Sequence, residues 1–142
     1  MAERTGGCLC GGVRWRAGAA PFRSVHCHCR SCRRATGAAL ASYAGFAKAA
    51  VTWQGARAFR ASAPGVTRGG CPDCRTPLSY MCTRWPGELY LHAATLDDPA
   101  LFTPQAHLHW AERVPWLALA DGLPKYPGRG PSALTPPAGG PG

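Results

Sequence analysis

The sequence predicts a small, mostly β domain with few short helices, clipped together by two metal sites. Three observations lead there. Several short segments alternate apolar and polar residues, the pattern of a half-buried strand. Eighteen glycines and fourteen prolines interrupt a chain of 142 residues too often for long helices. Seven of the eight cysteines fall into close clusters along the chain, as metal ligands do.

Taken in order, residues 12–17 (Gly-Val-Arg-Trp-Arg-Ala) form the first strand candidate. Ala39-Leu40-Ala41-Ser42-Tyr43 and Ala50-Val51-Thr52-Trp53 are weaker ones. Residues 88–93 (Glu-Leu-Tyr-Leu-His-Ala) alternate as cleanly as the first. Residues 107–110 place His107 and His109 on one strand face, with Leu108 and Trp110 on the other. His107, His109 and His92 are therefore expected on polar strand faces. Trp15, Trp53, Trp110 and Trp116 are expected in the core or in a pocket wall. Arg33-Arg34-Ala35-Thr36 suits a short helical turn. One domain is expected over residues 1–127. Residues 128–142 are rich in proline and glycine, nearly uncharged, and read as a disordered tail.

An apolar content of 46% and a charged content of 16% exclude a wholly disordered chain. No apolar run approaches the roughly 18 residues that span a bilayer. The first seven residues contain no apolar secretory core, so a reducing, cytoplasmic setting is expected. The formal charge of +9 could attract nucleic acid or small anions. The sequence contains no block of five to eight basic residues, however.

The clusters are Cys8-x-Cys10, Cys27-x-Cys29-x-x-Cys32 and Cys71-x-x-Cys74. A close pair places two thiolates on one ion, whereas disulfides rarely persist in a reducing compartment. In Cys71-Pro72-Asp73-Cys74 the proline fixes a turn that can aim the next amides at sulfur. Cys8 and Cys10 supply the second pair of a closed four-sulfur site, the usual form of structural zinc. Three further sulfurs, from Cys27, Cys29 and Cys32, can wrap a second ion and leave its fourth position open, as catalytic zinc does. Alternatively His26 or His28 closes that site. In an extended segment Cys27 and Cys29 share a side and His28 points away, which favours His28 as a non-ligand. Cys82 is left over and is expected as a buried free thiol.

The order and spacing of these clusters resemble the glutathione-dependent formaldehyde-activating enzyme family, whose domain is shared with centromere protein V. The residues carrying the resemblance are Gly7-Cys8-Leu9-Cys10-Gly11-Gly12-Val13, Cys27-His28-Cys29-Arg30-Ser31-Cys32-Arg33-Arg34, Cys71-Pro72-Asp73-Cys74, Thr95-Leu96-Asp97-Asp98-Pro99 and the stretch from His107 to Pro124. It covers about residues 6–127. It implies a tent-like β fold with two zinc ions. One is structural, on Cys8, Cys10, Cys71 and Cys74. The other lies at an active site on Cys27, Cys29 and Cys32. The implied activity is a carbon–sulfur lyase-type reaction joining glutathione, or a similar thiol, to a small aldehyde such as formaldehyde. Arg75 departs from the family pattern, standing where glycine usually follows the second knuckle. It must take a strained positive φ or adopt another turn.

Zinc in the three-cysteine site would lower the pKa of a bound thiol. Three thiolates already overbalance Zn²⁺, so cations nearby would help. Arg30, Arg33 and Arg34 lie in the same segment and can offset that charge or bind the carboxylates of a glutathione-like ligand. A different class of function is a non-catalytic zinc module that binds nucleic acid or another partner. Such a module predicts affinity that falls steeply with salt and arginines gathered on one face.

Overall fold

In a computed structural model, residues 3–135 are described. The strands in chain order are β1 (Arg4–Gly7), β2 (Arg14–Ala17), β3 (Arg23–Cys27), β4 (Ala41–Ala47), β5 (Val51–Gln54), β6 (Ala58–Ala63), β7 (Val66–Gly70), β8 (Pro77–Cys82), β9 (Glu88–His92) and β10 (Ala106–Leu108). The helix α1 (Arg30–Thr36) follows β3. Strand exceeds helix, 38% against 14%, as the fold class predicted. The chain divides into two compact units. The first comprises residues 3–22 and Ala44–Phe102, the second Arg23–Tyr43 and residues 103–135.

The first unit holds the apolar core. Strands β1, β2 and β5 form one antiparallel sheet, in that order. Strands β6 to β9 form an antiparallel meander. Alternation along β2 buries Trp15 and Ala17 and turns Arg14 and Arg16 outward. Trp15 packs with Phe46, Leu78, Leu89 and Leu91 in one cluster. Leu96 joins that cluster, and Asp97 beside it is clamped by the Arg14 guanidinium and the Thr5 hydroxyl. The Thr-Leu-Asp-Asp stretch is thus a structural tie in this unit. Strands β6 and β7 meet at Pro64-Gly65, where Gly65 has φ 75, the left-handed value this turn requires.

His92 ends β9 buried, not on a polar face. Burial, reinforced by the positive charge of Arg68, lowers its pKa to about 4. The folded state therefore resists protonation that the unfolded state accepts near pH 6.5. Stability from this residue is full above pH 6.5 and falls as the pH drops towards 4, by on the order of 3 kcal/mol. Denaturant unfolding across that window should show a shallower loss for His92→Gln than for the native protein. Equal slopes would exclude His92 as the group responsible.

The second unit is built differently. Strand β10 pairs in parallel with β3, matching Ala106 to Val25, His107 to His26 and Leu108 to Cys27. On its other side the main chain of His107 bonds Pro124 and Tyr126. Helix α1 starts at Cys29, whose sulfur accepts the Cys32 N–H. It ends at Gly37, whose φ of 67 lets its N–H reach the Arg33 carbonyl. Buried here are Val25, Tyr43, Leu108 and Val114, together with Cys27, Cys32, His28 and His107, so much of the interior is polar. The Arg23 guanidinium donates to the carbonyls of Arg129, Pro131 and Ser132. These acceptors fall within the stretch read as a tail. Residues 136–142 of that stretch lie outside the described residues.

Candidate metal centres

The four-cysteine group lies in the first unit. Cys8 and Cys10 occupy the β1–β2 turn, where the Cys8 N–H bonds the Val13 carbonyl at 3.0 Å. Cys71 and Cys74 occupy the β7–β8 turn, closed by Cys71 N–H to Thr76 carbonyl and Arg75 N–H to Cys71 carbonyl, each 3.1 Å. The four sulfurs lie within 4.8 Å of one another. Ligand sulfurs of a tetrahedral zinc stand about 3.8 Å apart. Here Cys8–Cys10 is 3.6 Å and Cys10–Cys71 is 3.7 Å. Main-chain N–H groups also aim at sulfur: Val13 at Cys8, and Asp73 and Cys74 at Cys71. The Thr76 hydroxyl and main chain lower the Cys74 thiol to about pKa 5, favouring the thiolate that a metal needs. These sulfurs fit a closed structural zinc.

Arg75 takes the strained option, with φ 67. A left-handed non-glycine residue costs roughly 1–2 kcal/mol, part of which glycine returns as chain entropy on unfolding. Arg75→Gly should therefore stabilise the metal-loaded protein by about 0.5–1 kcal/mol in denaturant titration. A destabilised variant would show that the arginine side chain contributes more than its backbone strain costs.

The three-cysteine group lies in the second unit. Cys27 ends β3, Cys29 caps α1 and Cys32 sits in its first turn, with all three sulfurs within 4.8 Å. Sulfur accepts again: Cys32 N–H reaches Cys29 at 3.3 Å and the Tyr43 hydroxyl reaches Cys32 at 3.3 Å. Hydrogen bonds from Cys27 and Cys32 hold the Cys29 thiol far below its ordinary range, and the same contact with Cys29 pushes Cys27 up. The three thiols thus sit close enough to perturb one another, and a metal bound there would take all three as thiolates. Among the described residues, no histidine, carboxylate or fourth cysteine joins this group.

The histidines lie beside the group. His28 is buried, and its Nε2 lies 2.8 Å from His107 Nδ1. Burial, then the neighbouring His107, lowers the His28 pKa to about 4. His107 Nε2 lies 2.8 Å from Asp121 Oδ2. His26 lies along the His107 ring, with centroids 5.0 Å apart, and bonds the Ser42 hydroxyl at 2.7 Å. Trp110 sets its edge against both His28 and His107. His107 is thus wholly buried rather than part of a polar strand face. Strand β10 stops at Leu108 because His109 turns left-handed, with φ 53, and pairs with Glu112 instead.

Of the three arginines, Arg33 donates through Nε to the His28 carbonyl at 3.2 Å, while Arg30 and Arg34 are exposed. Trp15 is core and Trp53 packs against it, but Trp116 is 73% exposed, in a loop where no strand turns it inward. Cys82 is half-buried at the end of β8 and belongs to neither cysteine group. Sequence reasoning missed Asp121, Tyr43 and the pairing of His28 with His107. An Asp-Gly turn after the His107 segment was the only signal for Asp121, and it reads equally as a loop.

A mostly β chain with one group of four cysteines and one of three, each able to hold a metal ion, is the class of protein this fold and these sulfurs describe. Residues 3–112 match the model of the family described as glutathione-dependent formaldehyde-activating enzyme, and the chain belongs to that family. A crystal structure of a Rhodobacter sphaeroides protein shares the fold, with TM-score 0.56 and 21% identity over 66% of this chain and 87% of that one. No curated protein matches this sequence. No helix among the described residues is long and apolar enough to cross a membrane.

Proposed function

We propose that this protein catalyses addition of a thiol, glutathione or a close analogue, to a small aldehyde such as formaldehyde, at zinc held by Cys27, Cys29 and Cys32. A second zinc on Cys8, Cys10, Cys71 and Cys74 is structural. The observation that carries the reading is the three-sulfur group with no fourth side-chain donor among the described residues. Family membership supports the substrate class. Zinc bound there would supply a Lewis acid that lowers the pKa of a thiol in the fourth position. The reaction itself is balanced without a redox partner. A sulfur–carbon bond forms, the carbonyl π bond becomes an O–H, and the thiol proton ends on that oxygen.

The chain's own residues prepare the site. The N-cap of α1 and the Tyr43 hydroxyl fix two sulfurs by hydrogen bonds. Trp110 packs edge-to-face with the buried rings of His28 and His107, and His28 stands between Cys27 and Cys29 in the chain. Exposed Arg30 and Arg34 lie on the first and second turns of α1, the helix that carries Cys32, and would meet carboxylates of an anionic thiol. In the first unit Arg14 and Arg16 pair with Asp97 and Glu3, and Arg57 stacks on Trp53. The test is the rate of adduct formation from glutathione and formaldehyde, followed by exchange NMR with zinc-loaded protein. Exchange faster than the uncatalysed reaction is expected, and an unchanged rate would refute the reading.

A further inference from the structure

The second unit holds a hydrogen-bond chain that neither metal group requires as a ligand. It runs from Leu123 N–H to Asp121 Oδ1 (3.1 Å), from Asp121 Oδ2 to His107 Nε2 (2.8 Å), and from His107 Nδ1 to His28 Nε2 (2.8 Å). His28 lies between Cys27 and Cys29. Its N–H donates to the Leu108 carbonyl at 3.0 Å, and its carbonyl accepts from Arg33. Ring, N–H and carbonyl are therefore all held, and with them the backbone that carries two of the three sulfurs.

The chain also has a direction. A carboxylate only accepts hydrogen bonds. Asp121 Oδ2 therefore accepts a hydrogen bond from the N–H at His107 Nε2. In a neutral ring the other nitrogen then has only a lone pair. His107 Nδ1 must accept, and His28 Nε2 must donate. Two neutral imidazoles ending on a carboxylate can be satisfied in this order alone.

We propose that Asp121 and His107 are positioning residues of the three-cysteine centre, fixing the tautomer and orientation of His28 and through it the Cys27–Cys29 knuckle. The proposal rests on reading that centre as the zinc and thiol site. Outer partners that hydrogen-bond a ligand side chain commonly change metal affinity by 10–100-fold when removed, and here the hold reaches the ligands through the Cys27–Cys29 backbone. Sequence distance hides the device, since His28 and His107 are 79 residues apart.

Asp121→Asn tests it. The Leu123 N–H still needs an acceptor, so the amide oxygen stays on that side and the NH₂ group faces His107 Nε2. Nε2 must then accept, the ring proton moves to Nδ1, and the bond to His28 reverses or breaks. Long-range ¹H–¹⁵N spectra of the zinc-loaded native protein should place the ring protons of His107 and His28 on Nε2. In Asp121→Asn the His107 proton should move to Nδ1. Competition with a chromophoric chelator should show one of the two zinc ions held 10–100-fold more weakly, the other unchanged. A native His107 protonated on Nδ1 alone overturns the proposal, and that measurement stands even if the variant does not fold. Unchanged affinity for both ions in a folded variant overturns it too. If cobalt-substituted native protein responds to thiol while Asp121→Asn keeps its metal, the positioning role fails and the thiol-site reading survives. If affinity drops but native protein ignores thiols, positioning holds and the thiol-site reading fails.

Discussion

Cys74→Ser should lower the melting temperature by about 10 °C and weaken the hold on one metal ion per chain. The four-cysteine group joins the β1–β2 turn to the β7–β8 turn, two loops some sixty residues apart in sequence. An ion there cross-links the first unit through its middle. Structural zinc contributes folding free energy outright, on the order of 10 kcal/mol in small zinc domains. Serine leaves three sulfurs, so only part of that is lost, about 3 kcal/mol or more. For a chain of this size each kcal/mol moves the midpoint by roughly 3 °C. Chelator, which removes the ion altogether, should lower the native midpoint at least as far. An unaltered midpoint for Cys74→Ser would remove the structural role of this site.

Cys29→Ser should abolish adduct formation, by at least about 100-fold, while the protein stays folded. Serine is chosen because Cys29 also caps α1, accepting the Cys32 N–H. A serine oxygen is a preferred cap at that position, so the helix start survives. What is lost is one of the three sulfurs that would hold the ion. The first unit, with its own core and its own cysteine group, should keep its unfolding transition. Circular dichroism and exchange NMR on the same sample separate the two effects. If Cys29→Ser unfolds as severely as Cys74→Ser, the three-cysteine group is structural as well.

The legible parts of this chain are those whose signal is local. Alternation at residues 12–17 marks β2, which buries one face; alternation at 88–93 marks β9, although β9 is buried on both faces from Leu89 to His92. The cysteine knuckles mark both sulfur groups, because two cysteines in one turn bring their sulfurs within reach of one ion. Strand β6 escapes notice because it is exposed throughout and has no apolar face to alternate. Pro64-Gly65 was the available sign of its turn with β7. The polar interior of the second unit was hidden for a different reason. His107 looks like one side of a polar strand face until β3 pairs with β10 and encloses it, and that parallel pairing joins segments about eighty residues apart. The turn chemistry of Arg75 was legible as a choice between strain and rearrangement, and only the backbone shows which was taken.

The central claim is an open, thiol-binding zinc site beside a closed one. Cobalt substitution tests it most directly, through the d–d and thiolate-to-metal absorption bands during titration with glutathione. The account predicts two metal ions per chain, with one set of bands shifting on thiol addition and the other unmoved. Two ions with no shift would contradict it, and would turn attention to a zinc module that binds a partner without turnover.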